Sequence, residues 1–112
     1  MLNAITAQGR FTADPALKMT QNNVPVVSFT LACDRDFGDK KTDFFNCTAW
    51  RQTADFINRH FYKGQQAIIA GRLQNREWTD NDGKKHSVAE ILVEHVYFCG
   101  GKKSEDDGEV PF

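Results

Sequence analysis

The sequence has no apolar run approaching the ~20 residues that a membrane-spanning helix needs. Its opening, MLNAITAQGR, lacks both the basic start and the long apolar stretch of a secretory signal. Together these absences predict a protein that stays where it is made, in the cytoplasm. Cysteine is scarce: Cys33, Cys47 and Cys99 are an odd number at wide spacing, which fits no disulfide framework and suits a reducing compartment. Cys33 and Cys47 are expected as small core residues. Neither C-x-x-C nor H-E-x-x-H spacing occurs, so no metal is expected, and nothing asks for a cofactor. Internal repeats and low-complexity segments are missing too.

A dominant charge also looks absent, since the total is −1. The total hides an asymmetry. Glu105, Asp106, Asp107 and Glu109 all lie in the last eight residues, where there is no Lys or Arg. Without those four acids, 14 Lys and Arg stand against 11 Asp and Glu, a body of net charge +3. A basic body with a detached acidic end points to a polyanionic partner. With 112 residues, 40% of them apolar and 26% charged, the chain is one ordinary globular domain with a modest core. The expected division is a folded domain over 1–99, then a short linker and acidic tip over 100–112.

What is present reads mostly as strands. VPVVSFTLACD alternates, with Val27, Phe29, Leu31 and Cys33 on one face and Ser28, Thr30 and Asp34 on the other. TDFFNCTAW, QQAIIAGRL and SVAEILVEHVYF give three more strands, and LNAITAQGRF a weaker first one, closed by Asp14-Pro15. One helix is predicted in RQTADFINRHFYKG, where Ala54, Ile57 and Phe61 fall at helical spacing and Gly64 supplies a stop. Asp82-Gly83 signals a hairpin, and RDFGDKKTD a polar loop between the second and third strands. Three strands, a helix and two hairpin-linked strands is the order of the five-stranded OB barrel, all-β with one short helix between strands three and four.

Parity supplies the functional signal. In the third strand Phe45, Cys47 and Ala49 make a core face, so Phe44, Asn46, Thr48 and Trp50 share the other. In the fourth, Ala67, Ile69, Gly71 and Leu73 are expected inward, so Arg72, Gln74, Arg76 and Trp78 point outward together. Large rings beside guanidinium groups on a solvent face suit single-stranded nucleic acid, where arginines meet phosphates and rings stack on unpaired bases. Phe37, in the polar loop, is a fourth candidate ring. A lone His86 or His95 is read as a polar strand residue.

These residues resemble the bacterial single-stranded DNA-binding protein family, from about Leu2 to Phe98 and again at the tail. GRFTADPALKMT is similar to the family's first-strand motif, VVSFTLACDRDF to its second strand, and the spacings KGxxxxxxGRL and REWTDxxGxxH to its most specific block. The resemblance implies an OB barrel assembled as a homotetramer, with no enzymatic activity, that coats DNA in replication, recombination and repair. It places base stacking on Phe37, Phe44, Trp50 and Trp78, the rings that parity selects. Two family tryptophans stand here as Phe37 and Phe44, and a family phenylalanine as Trp50. It adds Arg10, Lys18, Arg51 and Lys63 to Arg72 and Arg76 as positions near the DNA backbone. The tip Asp106, Asp107, Glu109, Val110, Pro111 and Phe112 matches the acidic end that other DNA-processing proteins dock on. One departure is large: only CGGKKS joins barrel to tip, where the family has a long linker, which points to a compact paralogue or a phage or mobile-element version.

Three other readings fit parts of the pattern. An RNA-binding or primosomal OB protein would use the same groove, since nothing in the sequence reads a 2′-hydroxyl. An enzyme would need Cys47 with His60 or His95 as nucleophile and base, but Cys47 is expected on an apolar face. A purely structural dimerisation barrel leaves Arg72, Arg76 and Trp78 without a role.

Overall fold

The structure is a computed structural model and describes residues 1–38 and 40–99. Six strands and one helix follow in the order β1 (Ile5–Phe11), β2 (Ala16–Met19), β3 (Pro25–Asp34), β4 (Thr42–Trp50), α1 (Arg51–His60), β5 (Gln66–Thr79) and β6 (Lys85–Phe98). The sixth strand arises because the first is broken. Both β1 and β2 run antiparallel to β3, pairing Phe11 with Leu31 and Ala16 with Ser28. Asp14-Pro15 sits in the gap, where a proline has no amide to give to a ladder.

That bend closes the barrel. The sheet order is β1-β5-β6-β4-β3-β2, and the further β1–β3 pairing closes the ring, with β2 lying beside β3 beyond the bend. Only β4 and β6 run parallel, with Cys47 opposite Ile91 and Thr48 opposite Leu92. Inward residues of β1, β3, β4, β5 and β6 fill the interior, and α1 covers one end by burying Ala54 and Ile57. Phe11 stacks on Phe29 at 4.5 Å and on Phe61 at 5.2 Å, and Phe61 stacks on Phe98 at 4.9 Å. Complete burial of a side chain such as Ile57 or Ile69 stabilises the fold by about 1.5–3 kcal/mol. Cys47 is buried in this cluster and Cys33 packs against it half-buried.

The helix stops at His60, earlier than the glycine stop predicted. Phe61 turns extended and drops its ring into the core. Gly64 serves the next turn instead, with φ +87° and its N–H donated to the Phe11 carbonyl at 2.8 Å.

The hairpin is longer than the barrel. β1 accompanies β5 only as far as Gly71, opposite Ile5. Two residues further on, the Asn3 side chain takes a strand's place: its Nδ2 donates to the Leu73 carbonyl at 2.8 Å and its Oδ1 accepts the Leu73 N–H at 3.1 Å. Beyond that point β5 and β6 form a two-stranded arm, turned by Asp82-Gly83 with Gly83 at φ +84°. Leu73 therefore departs from its expected core place and is 45% exposed, because its side of the strand has passed the barrel rim. A bulge at the root of the arm pairs Ala70 with His95 but Gly71 with Val93. A β-carbon on Gly71 would overlap the Leu92 carbonyl there, so only glycine fits the ladder unshifted.

Candidate nucleic-acid interface

Residues opposite one another in a ladder share a face, so the registers show which side chains the barrel gathers. One outer row runs Arg10–Ala32–Phe44 across β1, β3 and β4. A second runs Lys18–Val26–Trp50 across β2, β3 and β4. Between them Ala16, Ser28, Thr48, Leu92 and Arg72 align across five strands. The same side continues along the arm through the pairs Gln74–Glu90, Arg76–Val88 and Trp78–His86.

Four of the six basic positions, Arg10, Lys18, Arg72 and Arg76, thus lie on one continuous outer surface with Phe44, Trp50 and Trp78. The rings are open to solvent, Phe44 64%, Trp50 41% and Trp78 44% exposed. Phe37 is 88% exposed in the β3–β4 loop, near the end where the Arg10–Ala32–Phe44 row lies. The base of that loop is pinned. Arg35 donates to both Asp43 oxygens at 3.0 Å, Thr42 Oγ1 donates to Asp34 at 2.7 Å, and the Arg35 amide reaches the Lys41 carbonyl. The Arg35 hydrogen bond holds the Asp43 carboxyl below the usual carboxylate range.

Two basic residues lie off this surface. Lys63 is in the turn after α1, its amide bound to Asp14 Oδ1 at 2.7 Å beside the β1–β2 break. Arg51 opens α1 and lines a groove with Pro25, Phe56 and Arg59. Its backbone is left-handed, φ +58°, where strand turns to helix in one residue. Such a conformation costs a non-glycine residue on the order of 1–3 kcal/mol.

Around Trp78 the structure adds residues that composition did not single out. His86 stacks on it, ring centroids 5.2 Å apart, and the Arg76 guanidinium lies over it at 5.0 Å. His86 Nε2 is 2.7 Å from Asp80 Oδ2. Glu90 is only 5% exposed, yet it faces the same side, with Arg76 Nε donating to it at 3.1 Å and Gln74 Nε2 at 3.3 Å. Counting back from the Asp82-Gly83 turn would have placed His86 opposite Trp78 and Glu90 opposite Gln74. The signal was in the hairpin register.

Nucleophilic chemistry finds no footing at Cys47. Burial pushes its thiol up to about 12, so no thiolate is available near neutral pH. Among the described residues no group of three or more His, Cys, Asp or Glu is placed to hold a metal ion, and no helix is long and apolar enough to cross a membrane. The acidic tip, Asp106 to Phe112, lies outside the described residues.

Comparison with known proteins adds the family. A single-stranded DNA-binding protein of Halalkalibacterium halodurans is 38% identical over 112 residues, covering 96% of this chain and 67% of the relative. Single-stranded DNA-binding protein 2 of Listeria monocytogenes is 39% identical, covering 96% of this chain and 70% of its own. The chain therefore spans roughly two thirds of either relative's length. In three dimensions, the Plasmodium falciparum SSB solved in complex with ssDNA superposes with a TM-score of 0.79 over 89% of this chain and 96% of its own, at 24% identity, which establishes a shared fold. The family model described as the single-strand binding protein family matches residues 2–99, and with relatives this similar across most of its length the chain belongs to that family.

Proposed function

We propose that this chain binds single-stranded DNA without sequence preference, protects it during replication, recombination and repair, and works as a cytoplasmic homotetramer. The observation that carries the reading is the continuous outer surface on which Phe44, Trp50 and Trp78 alternate with Arg10, Lys18, Arg72 and Arg76. Rings take unpaired bases by stacking at about 1–3 kcal/mol each, and every base offers a flat face, so sequence matters little. Guanidinium and ammonium groups take the phosphates. A duplex hides its base faces in its own stack and offers these rings nothing. Phe37 and Phe44 in place of tryptophan keep a flat ring and change stacking strength. Arg51 and Lys63 flank the surface and serve a strand wrapping past its edges.

The tip from Asp106 to Phe112 recruits other DNA-processing proteins: an apolar ring beside acidic charge suits a pocket with a basic rim. Its short CGGKKS connection limits how far from the barrel such a partner can sit.

Titration with oligothymidine tests the reading, since Trp50 and Trp78 are the chain's two tryptophans and stacking on them quenches fluorescence. Single strands should bind far tighter than duplex at moderate salt; equal affinity would sink the reading. A matched RNA competitor separates DNA from RNA preference, and sedimentation of a monomer at micromolar concentration would remove the tetramer.

A further inference from the structure

A buried carboxylate on a surface built for phosphates needs an explanation. Glu90 sits midway along that surface, between the barrel and the arm, and is 5% exposed. Left alone, an anion there repels the strand and bears an uncompensated desolvation cost. It is not left alone. Oε1 accepts from Arg76 Nε at 3.1 Å and Oε2 from Gln74 Nε2 at 3.3 Å. Arg76 itself remains 56% exposed along its side chain, and its guanidinium carbon lies 5.0 Å from the Trp78 ring centre.

Arginine carries five N–H donors in a rigid fork. A bond at Nε fixes the plane of the fork while Nη1 and Nη2 keep four donors for another anion. Here the fixed plane also lies over the ring on which a base stacks. We propose that Glu90 is a positioning residue for strand binding: it locks Arg76 against Trp78 so that one site offers a phosphate contact and a stacking surface in fixed relation. The alternation of the sequence puts Arg76 and Trp78 on one side of a two-stranded arm, but alternation alone leaves a long side chain free to swing. The lock spares the ordering entropy that binding would otherwise cost. This inference rests on the single-stranded DNA reading of the same surface.

A double-mutant cycle read by oligothymidine affinity tests it, with thermal melting as the folding control. Glu90→Ala should weaken binding about fivefold when Arg76 is present and change it less than twofold in an Arg76→Ala background, a coupling of the usual size for groups in contact. Glu90→Gln keeps an oxygen for Arg76 Nε and should bind within about twofold of the parent, with equal or steeper salt dependence because a carboxylate has left the surface. Stronger or unchanged binding by Glu90→Ala would make the carboxylate a brake or a bystander and overturn the proposal. The same loss in both backgrounds would mean general damage to the arm and overturn it as well. So would a glutamine variant as weak as the alanine one, since the hold on Nε would then be irrelevant. If the parent chain binds no single-stranded DNA, the reading beneath falls and takes this inference with it; a parent that binds without coupling to Arg76 sinks the inference alone.

Discussion

Trp78 and His86 stand face to face across the arm, their planes 20° from parallel and their centroids 5.2 Å apart. His86 is joined to Asp80, which also accepts the Asp82 and Lys84 amides at 2.9 Å. The stacking ring and the hairpin turn are therefore one bonded unit, and turn chemistry holds a surface residue in place.

Removing the middle of that unit has two readouts. In His86→Ala the Asp80 carboxyl, held below its ordinary range mainly by the His86 bond and then by backbone amides, should titrate closer to an ordinary aspartate. The stability this lowered value contributes is present above the ordinary carboxylate range and lost as pH falls from there through the lowered folded value, so the variant should show a smaller acid loss. Strand affinity should fall about two- to fivefold as Trp78 loses its stacked neighbour. Carboxyl NMR titration beside an oligothymidine titration checks both.

Arginine and tryptophan should separate in salt. Arg72→Ala or Arg76→Ala should flatten the log–log salt dependence by about 0.7 each, one phosphate contact apiece. Trp78→Ala should cost about 1–3 kcal/mol at nearly constant slope. Fluorescence titrations at several salt concentrations decide it, and an unchanged slope in both arginine variants would remove them from the phosphate path.

Gly71→Ala should destabilise the protein by about 1–3 kcal/mol, because a methyl group at the bulge meets the Leu92 carbonyl and forces the ladder to shift. Thermal melting measures the loss. A neutral result would mean that the bulge relaxes freely.

Cys47 predicts an alkaline effect. Its thiol is raised from 9.0 to about 12 by burial first, then by nearby Cys33 and Glu90, so the unfolded chain ionises before the folded one. Its stabilisation is whole below pH 9.0 and declines as pH rises towards 12, and the stability gap between the parent and Cys47→Ala should narrow over that range. At neutral pH, native Cys47 should resist alkylation, and Cys33, whose thiol is also raised by partial burial and then by Asp43 and Asp34, should react more slowly than Cys99.

At the tip, deleting Phe112 should abolish capture of DNA-processing partners and leave single-strand affinity equal or slightly higher. Burial of the Phe112 ring would carry most of the affinity, whereas the acids mainly speed encounter and are screened by salt. A pull-down beside a DNA titration measures both; weakened DNA binding with intact partner capture would mean the tip has been misread.

Period-two alternation found every long strand, and the ring positions followed from it, because a strand with one buried face must send alternate residues outward. Ala54, Ile57 and Phe61 found the helix for the same reason at another period. Alternation could not find the end of the barrel. Leu73 is apolar and in phase with Ile69, and only the length of β1 decides that it lies outside. Nor could it find the broken first strand, where the Asp14-Pro15 stop proved to be a bend. The partners of Trp78 and Arg76 come from across the hairpin, so they need a register rather than a pattern.

The arm has a consequence for how the molecule opens. In the barrel β3 is flanked on both sides, by β4 on one and by β1 and β2 on the other, but past Leu73 each arm strand has a single neighbour and no core beneath it. Backbone amides there should exchange with solvent through small local openings, while those of β3 and β4 wait for the whole barrel to unfold. A ligand gripping Arg76 and Trp78 would then make its mark far from any change of shape, as slowed exchange along the arm. The protein would close on its strand by becoming quieter rather than by moving.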